Sequence, residues 1–509
     1  MADLPLSSHP QASQIQICDQ AFFLETLRRL PLAEAVLQVL GFGLQNQFLA
    51  DLYEQHRGQC YHDILSFPCL VELISDALLV HQGSARQALL QAEKNSDLPT
   101  CKEAFYAKLR RVPLDVSVAF LTGVSQRINQ LLPPVFSPGL SAQDNPLPKS
   151  LQGYQVRIFD GKKLKHVAKK LKLTRDLAGQ LFGSKLLVGY DPVTRLIQAM
   201  SANPDGEAND APLVPALLGD LRTQIAGKST ILVADAQFCD LVQISQYRKE
   251  NDHFVLRYHP KLHFHADASQ PRREFTDAKG RTLIEEYGYL GSPKDERRCF
   301  VRRVTWKRTD HKDLCVVTDL TNRRANTSSV CKEAIPASDL IELYLIRWTI
   351  ETVFQEVTVT FGLRKLIGST AEATAFQAAF CMVVYNAIMV VKSYVAAVQP
   401  KPMKVDDVST KMLFTSIQKQ MTALAELVPP ASLTAMLEVQ QTAESTAESM
   451  QEYLRERLNG LWEVGWKKAK NKSPRKQKEK VKGSGAHTSV HRVLQKHIQS
   501  QKNPENPNP

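Results

Sequence analysis

The chain has 509 residues, enough for two to four domains and a sizeable core. Its net charge of +12 is unevenly placed: residues 465–509 hold 12 Lys/Arg against Glu479 and Glu505, which is +10 and leaves the rest near +2. Nine cysteines without a C-x-x-C pair argue against zinc knuckles and a disulfide framework and suit a reducing, cytoplasmic setting. The start, Met1-Ala2-Asp3-Leu4-Pro5, lacks a basic stretch followed by an apolar core, so no signal peptide is expected. The longest apolar stretches, such as 378–391, read as too short and interrupted to span a bilayer, and no membrane partner is expected.

Residues 1–132 read as a helical N-terminal region. Within it, 99–111 reads as a capped helix, with Thr100 as N-cap and Glu103 completing a capping box. Lys102, Lys108, Arg110 and Arg111 give that helix a basic side, suited either to DNA or simply to water. Prolines clustered in 133–149 mark a linker. Apolar strands then alternate with helical patterns through 150–260. A strand ends in Asp160-Gly161, 185–190 and 195–200 form a hairpin, 212–225 is a helix, and a buried strand runs into Asp235. A helix near 241–249 and the strand 253–258 follow. This order predicts an α/β fold with a ribonuclease-H-like core: a mixed sheet with flanking helices. Residues 261–336 become strand-rich, and His259, His263 and His265 there read as a surface strand rather than a metal site. Residues 337–400 return to helix, with 337–366 read as one uninterrupted helix. Residues 401–464 read as a helical C-terminal region assigned to assembly, and 465–509 as a basic, disordered tail with DNA affinity.

The helix 337–366 carries the most informative residues. Positions three, four and seven apart share a helical face. Tyr344, Arg347 and Glu351 therefore line one stripe, with Trp348 beside them, while Ile346, Ile350, Val353 and Val357 form an apolar stripe for burial. An Arg–Glu pair at i, i+4 is common on solvated helices, and an aspartate after an apolar strand is often a turn residue or N-cap. Two such strand ends plus a helical glutamate nevertheless make a plausible cage for two divalent cations.

These residues resemble the DDE transposases of bacterial insertion sequences. Asp160-Gly161, Ala234-Asp235 and Tyr344-x2-Arg347-x3-Glu351 carry the resemblance, most closely to the insertion-sequence-four branch with its Tyr-Arg-Glu-Lys signature; Tyr385-Asn386 adds to it. The resemblance covers about 154–395 and implies the same ribonuclease-H-like fold, with 261–336 as the β insertion between the second aspartate and the glutamate. The signature lysine is absent: Thr358 stands seven residues after Glu351, and Lys365, fourteen residues on, is the candidate substitute. Asp160 would bridge two Mg²⁺ or Mn²⁺ ions, and Asp235 and Glu351 would complete one each. Arg347 and Tyr344 would contact DNA phosphates, and Trp348 would stack on a displaced base at the element's end. Trp306 is a second stacking candidate. The basic helix 99–111 resembles the recognition-type helix that precedes the catalytic domain in this branch.

The implied activity is DNA transposition. The enzyme would bind terminal inverted repeats, pair them in a homodimer or larger assembly, cleave the ends and join them to target DNA. A structure-selective nuclease on the same fold, and an inactive domesticated DNA-binding protein, are the alternatives.

Overall fold

Val156, Ile158 and Phe159, the run 231–234, and Phe254, Val255 and Leu256 supply the buried centre of a ten-stranded sheet. In the computed structural model the described residues are 22, 25–60, 65–81, 83–94, 98–134, 145–224, 229–250, 252–309, 311–321, 335–360, 363, 368–399, 403–427, 446–468 and 487–502. The strands are β1 (Gln155–Lys163), β2 (Gln180–Phe182), β3 (Lys185–Asp191), β4 (Leu196–Asn203), β5 (Thr230–Ala234), β6 (Asp252–Arg257), β7 (Phe264–Ala266), β8 (Arg273–Thr276), β9 (Thr282–Leu290), β10 (Cys299–Trp306), β11 (Leu314–Thr318) and β12 (His487–Ser489). The large sheet has the order β4-β3-β1-β5-β6-β11-β10-β9-β7, with β8 also on β9. β1, β5 and β6 run parallel; the other pairings are antiparallel.

Parallel neighbours need crossovers, and helices Val214–Thr223 and Leu241–Tyr247 provide them. Alternation along the central strands then builds two cores. Phe159, Leu232 and Phe254 face the crossover helices. Ile158, Val233 and Val255 face the other side, against the N-terminal helices and the helix carrying Glu351. The result is an α/β fold, a mixed sheet flanked by helices, consistent with a ribonuclease-H-like core carrying an insertion. The strand-rich stretch does not form a separate sheet. β11 pairs with β6, so β7 to β11 extend the central sheet.

The free edge at β4 is covered by a buried helix, Ala371–Ala397. Asn386 on that helix acts as a surrogate strand. Its Oδ1 accepts from the Ile197 N–H (2.9 Å) and its Nδ2 donates to the Ile197 carbonyl (2.8 Å) and to Ser125 Oγ (2.9 Å). By length and composition this helix could cross a membrane, against the sequence-based expectation, but its apolar window is wholly buried in the protein. The 378–391 run understated it because the helix continues in alanines and small residues on both sides.

Two further expectations change. The basic helix spans Lys102–Arg111 with Cys101 at the N-cap and no side-chain cap bond, so Thr100 does not form the anticipated box. The region read as a disordered tail contains β12 and the helix Val490–Lys502. β12 lies parallel to β2, Val490 is fully buried, and Arg492 pairs with Asp205 and Glu207 at 2.8 Å each. Composition hid this because the apolar positions of the helix are diluted by the lysine-rich stretch before it. Residues 469–486 and 503–509 of the tail lie outside the described residues, as do 135–144 of the linker and 428–445 of the C-terminal region.

Candidate active site

The site is built where two parallel strands end. β1 and β5 pair with a constant offset, Gln155 opposite Thr230 through to Ile158 opposite Val233. Continuing that offset places Asp160 beside Asp235, on adjacent strands about 4.8 Å apart. Both residues follow the phase of Ile158 and Val233, toward the core side that holds the glutamate helix. The sequence places β1's end at Asp160, but β1 runs on to Lys163, paired with β3 alone. Asp160 therefore sits just past the parallel ladder, not at the chain's exit from the sheet. Gly161 is required here: a Cβ would stand 2.4 Å from the Asp210 carboxylate, itself paired with Lys185 at 2.9 Å.

The third carboxylate comes from a broken helix. The expected single helix 337–366 divides into Ala337–Ile346 and Trp348–Gln355, followed by a π turn, Glu356–Thr360. The break falls at Arg347, whose N–H donates to the Tyr344 carbonyl (3.1 Å) in a tighter turn. Uninterrupted helical spacing in the sequence conceals such a step, because no proline or glycine marks it.

Arg347 is the hub. Its Nη1 lies 3.3 Å from Asp160 Oδ2 and its Nη2 lies 2.9 Å from Glu351 Oε1. Its Nε is buried without a hydrogen-bond partner among the described residues. The Tyr344 hydroxyl donates to Asp235 Oδ1 (3.0 Å), and Arg257 Nη1 approaches the same oxygen at 3.8 Å. The Gly161 N–H donates to Asp160 Oδ1 (2.8 Å). Burial pushes the Asp160 carboxyl up to about 6. The Arg347 guanidinium and the Gly161 N–H oppose that rise, while Asp235 and Glu351 add to it. The Tyr344 phenol is raised well above its usual range, first by burial.

The residues anticipated for DNA differ in where the structure places them. Tyr344 (1 % exposed) and Arg347 (3 %) are buried and committed to the carboxylates. Trp348 is 54 % exposed at the rim, one face against the Arg347 guanidinium at 5.5 Å. On the helix Lys102–Arg111, Lys102 pairs with Glu93 (2.5 Å) and Lys108 sits over the Tyr53 ring (4.4 Å). Arg110 is exposed and donates to the Tyr106 carbonyl (3.2 Å), and Arg111 is exposed. Lys365 lies outside the described residues. The Thr358 hydroxyl donates to the Phe354 carbonyl (2.6 Å) inside the π turn, so it is not directed along the Glu351 face as a straight helix requires. Trp306 is flanked by Arg281 and Arg308 at 5.3 and 5.6 Å.

Among the described residues, no group of three His, Cys, Asp or Glu is arranged to hold a metal ion. Arg347 stands between Asp160 and Glu351 instead. The donor chemistry still fits a hard divalent cation: Asp160 and Glu351 share the Arg347 guanidinium, Asp235 has Arg257 at 3.8 Å, and burial raises the Asp160 carboxyl. Sequence reasoning missed Asp210, Arg257 and the run of lysines after Gly161. Only the last had a signal, six Lys and one Arg in 162–175 with no acid.

The parallel strands β1 and β5 present two aspartates, and a helix bearing Arg347 and Glu351 closes over Asp160, in an α/β fold. Residues 151–387 match the family described as Transposase DDE domain, and the chain carries a domain of that family. That family uses divalent metal ions. No curated protein matches the chain. Among solved structures it is similar to a piggyBac transposase in a synaptic complex with hairpin DNA, seen by cryo-EM. That match has 12 % identity over 84 % of this chain and 76 % of the other, with a TM-score of 0.32, and adds nothing to the domain match.

Proposed function

We propose that this protein is a DNA transposase of the insertion-sequence-four type, which binds the terminal inverted repeats of its mobile element, cleaves the ends and joins them to target DNA. The observation that carries the reading is the register of β1 on β5, which sets Asp160 beside Asp235 and under the Arg347–Glu351 pair. Asp160, Asp235 and Glu351 would hold two Mg²⁺ or Mn²⁺ ions. Such ions activate a water or a DNA 3′-hydroxyl and stabilise the leaving oxygen.

The chain's own residues prepare that chemistry. Tyr344 fixes the rotamer of Asp235 through its 3.0 Å hydrogen bond. Arg347 neutralises Asp160 and Glu351 while the site is closed. Turned outward, its planar fork suits a phosphate diester, with the unpartnered Nε supplying one more donor. Trp348 offers an exposed indole to an unstacked base. Lys365 and the basic helix Lys102–Arg111 would take further backbone contacts, and the two element ends would be held by a homodimer or larger assembly.

The test combines the full chain with DNA from the ends of its own element, Mg²⁺ or Mn²⁺, and a target plasmid. Joined products that require both the metal and the end sequence support transposition. Cleavage without joining would replace it with a nuclease, and metal-independent DNA binding without cleavage with a domesticated binding protein.

A further inference from the structure

We propose that residues 162–175 form a fixed track for the phosphate backbone of duplex DNA, leading from the carboxylate site toward the helix Lys102–Arg111. The proposal rests on the transposase reading for the identity of its ligand, but its residues lie outside the carboxylate cluster. The segment holds Lys162, Lys163, Lys165, Lys169, Lys170, Lys172 and Arg175 with no acidic residue. Charge runs of this density are usually disordered and solvated. This one is pinned. The Leu164 N–H donates to the Ser184 carbonyl (3.1 Å), the Gly183 N–H to the Leu164 carbonyl (2.8 Å), and the Ala168 N–H to the Gly368 carbonyl (3.2 Å). Leu164 and Thr174 are buried as anchors.

Pinning the backbone turns the charges outward. Lys165, His166, Lys170, Lys172 and Arg175 are exposed, and no carboxylate pairs with Lys165, Lys172 or Arg175 among the described residues. The nearby acids are engaged or peripheral: Asp205 and Glu207 pair with Arg492, and Asp176 follows the segment. Holding like charges together in an ordered segment destabilises the free protein, and a polyanion relieves it.

The path is set by two aromatic contacts. Near the start, Lys162 Nζ lies 5.2 Å from the ring of Phe354, three residues beyond Glu351. Further on, Lys170 Nζ lies 5.1 Å from the ring of Tyr106, on the same helix as Arg110 and Arg111. Eight residues of chain reach at most about 28 Å. At about 3.4 Å of axis per nucleotide of one strand, that matches up to roughly eight nucleotides. A duplex with its reacting phosphate at Asp160 would thus lie along the segment to the N-terminal helices.

The test uses the full chain and a 40-base-pair duplex of arbitrary sequence, with affinity read by fluorescence anisotropy across a salt series. Replacing Lys165, Lys172 and Arg175 together by Gln should lower the slope of log affinity against log salt by about 2–3, at roughly 0.9 per phosphate contact. Replacing the exposed Lys261, Lys294 and Lys312 by Gln removes the same charge from the far strands and should leave the slope unchanged. Amine acetylation of the wild-type chain, read by mass spectrometry, gives a measure independent of any variant. Lys165 and Lys172 should react several-fold more slowly with duplex bound, and Lys294 at an unchanged rate. Equal slopes for both variants, with equal Lys165 and Lys172 reactivity with and without duplex, overturn the track while leaving the transposase reading in place. A wild-type chain that binds no duplex overturns both.

Discussion

Arg347 and Asp160 lie 3.3 Å apart, guanidinium to carboxylate, where the helix between Ile346 and Trp348 breaks. The same guanidinium reaches Glu351 at 2.9 Å, so one arginine links the two carboxylates. Arg347→Ala removes the one guanidinium paired with Asp160 among the described residues and leaves that largely buried carboxylate only the Gly161 N–H. Breaking such a pair costs about 3–5 kcal/mol. We expect the variant's unfolding free energy to fall by that order in metal-free buffer. Mg²⁺ should return part of it, up to about 2.7 kcal/mol at a concentration of 100 Kd. Thermal melts with and without 10 mM MgCl₂ decide this; equal metal response in wild type and variant would show that Arg347 does not compete with a cation.

The conservative exchanges Asp160→Asn, Asp235→Asn and Glu351→Gln keep shape and remove charge. Each is expected to lower cleavage at the element's ends by 10³-fold or more, on the order of 4 kcal/mol of barrier. Binding of those ends should change by less than tenfold, because affinity comes mainly from phosphate contacts elsewhere. A gel assay of cleavage beside an anisotropy titration separates the two. Near wild-type cleavage by Glu351→Gln would remove it from the catalytic set. Glu356 does not replace it, since that side chain is engaged with Thr410 and Lys392 on another face.

Trp348 is exposed, so its loss should barely touch stability. Trp348→Ala is expected to shift the unfolding free energy by less than about 0.5 kcal/mol. Capture of an unstacked base should weaken by about 1–3 kcal/mol, the range for base–aromatic stacking. A 2-aminopurine placed at the end of the element's DNA reports this: its fluorescence should be quenched by the wild type and not by the variant. Quenching by both would assign the stacking elsewhere.

Lys392 gives a pH signature distant from the site. Burial lowers its ammonium to about 8, against the opposing pull of Glu356 and Asp406, and its Nζ donates to Thr410 Oγ1 (3.1 Å). The unfolded chain holds this proton up to about pH 10.4. Between those values the unfolded state binds more protons, so stability rises with pH through this window and is lost as pH falls through about 8. The change is on the order of 3 kcal/mol. Between pH 7.5 and 10, urea unfolding should give a change in unfolding free energy more positive in the wild type than in Lys392→Met by this amount, the shifts of the buried Cys and Tyr groups being common to both. Parallel pH profiles for the two proteins would refute it.

The sequence alone determined the elements whose signals are local. Alternating or continuous apolar runs fixed β1, β3, β4, β5 and β6 to within a few residues, and the shared stripe of Tyr344, Arg347 and Glu351 followed from helical spacing. It also singled out Asp160 and Asp235, each by its place after an apolar strand. Only tertiary structure decided what depends on register. The offset that sets Asp160 beside Asp235 is a property of two strands paired across 75 positions of chain, and neither strand encodes it by itself. The break at Arg347 and the π turn after Gln355 have no proline or glycine to announce them, because packing on the sheet selects them. The ordered helix Val490–Lys502 was hidden for the same reason: its docking strand, β12, is three residues long and gains order only by pairing with β2 some 300 residues earlier. Spacing along one element can be read from residue order, but the meeting of elements far apart in sequence is set by burial of both faces of the sheet at once.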